Sequence, residues 1–285
     1  MMLAAGHPSR IPILPVLTSH ELVGAASADA TGVLGIGAPQ LLNSGAAAIM
    51  AALRLAGVGA GDSVLLPAFN CPAMVDAIVS AGAMPRFYRI AADLAIGAAQ
   101  IGEAFADDTR AVLVPHLFDR LQDLMPIKEL CEQRGAVVIE DCAHAMFGSL
   151  GTVAVGSIGH FAAASPRKFL PLVEGGLLTS ASRSVTLPPG VQRPGIVRAA
   201  RLAFDGIDGA TESGHLRGFR PFVRLLKKMA GSGAVTRDAD VQQPGAPVAP
   251  SSKIEIVQAS ATTRLLLRRS IWRSEERRVG KECRS

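Results

Sequence analysis

The sequence predicts an α/β fold with a mostly parallel central sheet covered by helices on both faces. Two observations carry this: short apolar runs bounded by Gly, Pro or charge, and helix-favouring segments that alternate with them over residues 45–140. Strands separated by helices of that length form βαβ units, and both faces of such a sheet are buried. Sheets of this kind bind ligands at the carboxyl ends of their strands, so candidate chemistry is sought there.

Residues 46–55 are rich in Ala and Leu and stop at the Gly57-Val58-Gly59 punctuation, as a helix would. DSVLLP (62–67) is a short apolar run bounded by Gly and Pro, as for a buried strand. A helix is expected over 74–80, a strand over 84–90 and a weakly patterned helix over 98–105. Next come a strand over 110–116, a helix over 126–134 and a strand over 136–141. Beyond Ser180 the pattern fades: 186–195 and 231–252 read as loops, 196–203 as a short helix and 254–272 as a longer one.

With 49% hydrophobic residues the chain can bury a sizeable core. No apolar run reaches membrane-spanning length, and the first residues lack the pattern of a secretory signal. Cys71, Cys131, Cys142 and Cys283 show no ligand-like spacing, so reduced thiols, a cytoplasmic setting and no metal are expected. Charge is uneven: residues 1–180 hold ten Lys/Arg against fifteen Asp/Glu, and residues 181–272 hold fourteen against six. The basic segment has neither zinc-finger spacing nor an RNP-type aromatic motif. A solvated or interface-forming face is expected there, not nucleic-acid binding.

The ending RSEERRVGKECRS is set apart. Arg273 through Cys283 is the translation of a widely used sequencing adapter, so residues 273–285 are treated as an assembly artefact and left out of fold reasoning. The corollary expectation is a natural chain that continues past Trp272.

Three features fall at strand ends or helix starts. Asn43, Ser44 and Gly45 precede a helix, where free N–H groups and the helix dipole suit a phosphate, or where Ser44 is simply an N-cap. Glu140-Asp141 ends an apolar strand, with His144 three residues on; an acid there is a ligand group or a cap for the next helix. Lys168 lies between an apolar, strand-like stretch and a Gly175-Gly176 turn. Its stem could cover apolar surface with the amine in water. Alternatively, burial or the neighbouring Arg167 favours the neutral amine that attacks carbonyls. Together, a phosphate cradle, a strand-end acid and a desolvated lysine are the parts that hold pyridoxal 5′-phosphate (PLP).

In NSGAAAIMAAL, GAGDSVLLPAFN, RAVLVPHLF, GAVVIEDCAHA, GSIGHFA and SPRKFLPLVEGG, the sequence resembles the DegT/DnrJ/StrS-type sugar aminotransferases. These are PLP enzymes of fold type I, and the likeness covers about residues 43–180. The resemblance implies a large PLP-binding domain over 43–180, after an N-terminal segment (1–42). Residues 181–272 would be a divergent linker and an incomplete smaller C-terminal domain. It also implies a homodimer that transfers an amino group from glutamate or glutamine to a keto sugar, typically nucleotide-linked. Within the resemblance, Lys168 matches the lysine that carries PLP, and Asp141 the partner of the pyridine nitrogen. His144 falls where many members have a glutamine beside the cofactor or substrate. Gly45 and Ala46 fall in the phosphate turn with Ser44, while Phe69, Asn70 and Cys71 fall against the cofactor ring.

The sequence also departs from the family pattern. Ala46 replaces a usual threonine, Cys71 a common aromatic residue, and Ala162-Ala163 a Ser-Phe pair, with Ser165 as a substitute hydroxyl. No counterpart of the family's partner-subunit loop is found after the lysine. The open alternative is a non-catalytic PLP-binding homologue or an inactive fragment.

Overall fold

A computed structural model describes residues 14–19, 32–187, 191–229 and 254–270. The chain runs β1 (Gln40–Leu42), α1 (Gly45–Leu55), β2 (Ser63–Pro67), α2 (Pro72–Ala81), β3 (Met84–Tyr88), α3 (Ala98–Ala104), β4 (Thr109–Pro115), α4 (Met125–Gln133) and β5 (Val137–Asp141). A short ribbon of β6 (Ser149–Leu150) and β7 (Val153–Ala154) precedes β8 (Phe161–Ala164) and β9 (Gly176–Thr179). Then come α5 (Ile196–Glu212), α6 (Arg220–Met229) and a helix over 261–270, α7.

Among the described residues, seven strands form one sheet in the order β1-β9-β8-β5-β4-β2-β3. Neighbours from β3 through β8 are parallel, whereas β9 runs antiparallel to both β8 and β1. The mostly parallel sheet read from the sequence is therefore present.

Strand side chains alternate between two buried layers, as the period of two requires. Val64, Leu66, Ala111, Leu113 and Ile139 pack with α1 and α2. Leu65, Val112, Val114 and Val138 face the other side, against α3 and α4. Residues 47–53 of α1 are all buried. A helix enclosed on every side must be built of small and apolar residues, which the Ala-rich sequence supplies. α2 opens with Pro72 at its first turn and closes on Gly82 at φ +92, a left-handed cap that glycine adopts without steric cost.

Beyond β9 the structure differs from expectation. The helix expected over 196–203 extends to Glu212. Only 261–270 of the expected 254–272 helix is helical among the described residues. Residues 254–260 are non-helical because they join the sheet edge: Leu42 pairs with Gln258, Asn43 N–H donates to Val257 O at 2.9 Å, and Ala259 N–H donates to Leu41 O at 2.9 Å. Ser260 then caps α7 through its hydroxyl, which accepts from Thr263 N–H at 3.2 Å. The loop expected over 231–252 and the terminal residues 273–285 lie outside the described residues.

The buried Glu174 fastens this C-terminal part to the segment after Lys168. Its carboxylate accepts from Ser260 N–H at 2.9 Å and from the Thr263 hydroxyl at 3.3 Å, and pairs with Arg198 at 3.0 Å.

Candidate active site

The parallel strands β4, β5 and β8 end on the same side of the sheet, and a cavity of about 140 Å³ opens there. Each wall comes from a strand end. Phe69, Asn70, Cys71 and Met74 lie beyond β2 and enter α2; Pro115, His116, Leu117 and Phe118 end β4. Asp141, Ala143 and His144 end β5, and Lys168 lies beyond β8. Sequence reasoning named Phe69, Asn70, Cys71, Asp141, His144 and Lys168, and the fold brings all six to this cavity. It missed the β4 residues, although RAVLVPHLF is a strand whose carboxyl end the topology rule would have singled out.

Lys168 stands in a 3-10 turn, Pro166–Lys168, and its N–H donates to Ser165 O at 3.0 Å. Asn70 braces the β2–α2 turn, its amide donating to Pro67 O at 2.9 Å and Ala68 O at 3.2 Å. Cys71 is an exposed thiol at the start of α2.

Asp141 is 6% exposed. One oxygen accepts from Ala143 N–H at 2.9 Å. Burial pushes the carboxyl above its ordinary range, opposed by that hydrogen bond and by the nearby Lys168, His144 and His116. His144 is displaced downward, first by burial and then by Lys168, with Asp141 and Asp119 opposing. Its ring stacks on Phe118 at 5.2 Å.

The raised Asp141 pKa has a definite pH signature. Between the ordinary aspartate value and the raised one, the native state binds more protons than the unfolded state. Stability contributed by this group therefore falls as pH rises through that window. Asp141→Asn is expected to raise the melting temperature of the cofactor-free chain at neutral pH, with the gain vanishing below about pH 4. Thermal melts across pH check this; a loss at neutral pH contradicts it.

Behind the cavity, His116 and Glu140 form a buried pair. His116 Nδ1 accepts from Gln122 N–H at 3.1 Å, so Nε2 carries the proton and donates to Glu140 Oε2 at 3.2 Å. Glu140 also accepts from Gly156 N–H at 2.8 Å, Ile158 N–H at 2.7 Å and Gly159 N–H. Cys142 lies close enough to complete a three-ligand group. Both imidazole nitrogens are already engaged and the carboxylate is saturated, so the cluster is a structural tie between the β4 turn and the loop before β8.

Ser44, Gly45, Ala46 and Ser165 stand beside the cavity, not in its wall. Ser44 Oγ caps α1 by accepting from Ala47 N–H at 3.1 Å. Gly45 lies so close to β8 that a Cβ there would come within 3.2 Å of Ser165 Cβ. The start of α1, Ser165 and the Lys168 turn thus meet at one place, and Ser44 pairs with Gly175 across it.

A mostly parallel sheet carrying an amine, a buried acid and a helix start at its strand ends is the architecture of one class of aminotransferases. Residues 39–186 match the DegT/DnrJ/EryC1/StrS aminotransferase family, and the chain belongs to that family. It is 33% identical over 178 residues to the L-glutamine:2-deoxy-scyllo-inosose aminotransferase of Streptomyces kanamyceticus, covering 61% of this chain and 40% of that protein. It is 33% identical over 167 residues to the UDP-N-acetyl-3-dehydro-α-D-glucosamine 3-aminotransferase of Acidithiobacillus ferrooxidans, covering 55% and 44%. The chain thus spans about two-fifths of the length of these curated relatives. The fold is shared with a candidate sugar aminotransferase, Spr1654, of Streptococcus pneumoniae in its apo form. There the TM-score is 0.53, with 23% identity over 61% of this chain and 52% of that one. No helix among the described residues is long and apolar enough to cross a membrane.

Proposed function

We propose that the protein is a PLP-dependent aminotransferase. It moves an amino group from an amino acid, glutamate or glutamine, to the keto group of a sugar or cyclitol, free or nucleotide-linked. The observation that carries this is the convergence of Lys168, Asp141 and His144 on one cavity at the strand ends, within the span that matches the family.

The residues present fit the cofactor. Asp141 is a buried carboxylate lining the cavity, suited to a cationic ring N–H. Lys168 supplies the amine for the aldehyde. The start of α1, the Ser44 and Ser165 hydroxyls and the small Gly45 and Ala46 make a phosphate seat. When bound, the cofactor supplies an electron-withdrawing ring next to the substrate's amine-bearing carbon. Asp141 keeps the ring nitrogen's proton in place, since an ionised carboxylate in so dry a site is stable only beside a positive partner. Lys168 Nζ binds the cofactor and then moves a proton to and from the substrate carbon. His144, stacked on Phe118, would contact the cofactor or the substrate. Phe69 and Phe118 cover the mouth and limit water.

As the resemblance implies, the working unit is a cytoplasmic homodimer; sedimentation at twice the monomer mass checks the dimer. The function itself is tested by adding L-glutamine, or L-glutamate, to the PLP-loaded chain without acceptor. Conversion of the cofactor to its amine form is expected. An unchanged cofactor spectrum with both donors supports the non-catalytic alternative instead.

A further inference from the structure

The turn after β4 carries an exposed aromatic ring, Phe118, at the cavity. Phe118 has φ +51 and Asp119 φ +63. A bulky residue enters this left-handed region only at a cost, and such strain collects at functional sites. Burial does not account for it, because Phe118 is 64% exposed. Yet the turn is clamped at both ends by buried side chains. His116 holds Gln122 N–H and Glu140, while Gln122 accepts from Ile96 N–H at 2.9 Å and donates to Leu94 O at 3.1 Å. One side of the Phe118 ring lies against His144, and Phe69 stands 6.3 Å away, tilted by 46°. The fold thus fixes an exposed aromatic ring at the cavity mouth against the local preference of its backbone.

We propose that Phe118, with Phe69 beside it, seats the acceptor: its ring stacks on the C–H face of a six-membered polyhydroxylated ring that bears the keto group. This rests on the aminotransferase reading and adds to it the element that recognises the acceptor. Amino-acid donors suit this wall poorly, because their carboxylates need a cation and, among the described residues, Lys168 is the only lysine or arginine lining the cavity. A cyclic polyol has an apolar C–H face and a polar rim. Phe118 and Phe69 meet the first, and the neighbouring Asn70 and His144 offer polar atoms to the second.

The test uses the full chain loaded with the amine form of the cofactor, the form that takes the keto acceptor, with 2-deoxy-scyllo-inosose as the probe and UDP as the nucleotide control. Phe118→Gly relieves the left-handed strain, so it is expected to melt at the same temperature or a few degrees higher. It should weaken binding of the keto cyclitol by about tenfold or more in titration calorimetry. It should also lower that affinity several times more than it slows conversion of the cofactor by L-glutamine. Phe118→Tyr keeps the ring and is expected to bind within about threefold of the original chain. Equal affinity in the original chain and Phe118→Gly overturns the proposal, as does no binding to the original chain. An equal loss in the donor half-reaction, or a loss confined to UDP, also overturns it. Capture of PLP by Lys168 is read separately: its failure removes the aminotransferase reading, whereas its success with unchanged acceptor binding removes only this inference.

Discussion

Replacing Lys168 by alanine is expected to abolish amino transfer, lowering the rate by about three orders of magnitude or more, with the fold intact. The amine makes no hydrogen bond to the described residues, and it is half-buried in a short turn held by backbone contacts. Little packing is lost with it. Lys168→Arg is expected to be as inactive, because a guanidinium keeps its proton and cannot serve as the nucleophile. Two neighbours report the change independently of turnover. Lys168 pulls the Asp141 carboxyl down and the His144 imidazole down. In Lys168→Ala, therefore, the His144 titration tracked by NMR should move up toward the ordinary imidazole value, and Asp141 should rise further. A His144 titration unmoved by the substitution would place the amine away from the cavity.

The second large effect is structural and falls at Gly176. A Cβ on this residue would lie inside the van der Waals envelope of the Ser44 carbonyl, which is backbone and cannot swing away. Ser44 is fixed in turn by its cap on α1 and its bridge to Gly175. Gly176→Ala must therefore push β9 off the start of α1, with a loss of about 3 kcal/mol or more. The same displacement opens the place where Ser44, Gly45 and Ser165 meet, so PLP affinity should fall with stability. Denaturant melts with and without PLP check both. Gly175→Ala, where a Cβ meets only ordinary contacts at 3.7 Å and beyond but φ is +157, should cost less. A neutral Gly176→Ala would contradict the close approach.

Lys168 and Asp141 show how much of the site was legible in the sequence. Lys168 stood out as an amine among apolar residues, and Asp141 as an acid at the end of VVIE. The family resemblance joined them, and the fold places both on one cavity. Strands β2, β4 and β5 could be read because each is a run of large apolar residues buried on both faces. β8 could not. Its FAAA is fully buried, but alanine disfavours strands, and only the tight fit between β5 and β9 selects it. β1 and β9 are three and four residues long, too short for any period to appear.

The expected helix over 254–272 failed in its first part for a related reason. Ile254, Ile256 and Val257 are β-branched, and an open edge at β1 was available to pair with. Phe118 gave no sign, since of the LFD turn only Asp119 is a residue that favours left-handed backbone. Its conformation is imposed by the buried His116 and Gln122 on either side.

The central claim is that Lys168 is the amine that takes the aldehyde of PLP. It is tested most directly by borohydride reduction of the PLP-loaded chain and subsequent peptide mapping. The structure predicts one phosphopyridoxyl group per chain, on the peptide that holds Ser165, Pro166, Arg167 and Lys168, and none after Lys168→Ala. Label spread over exposed lysines such as Lys227, with the Lys168 peptide unmodified, would contradict it.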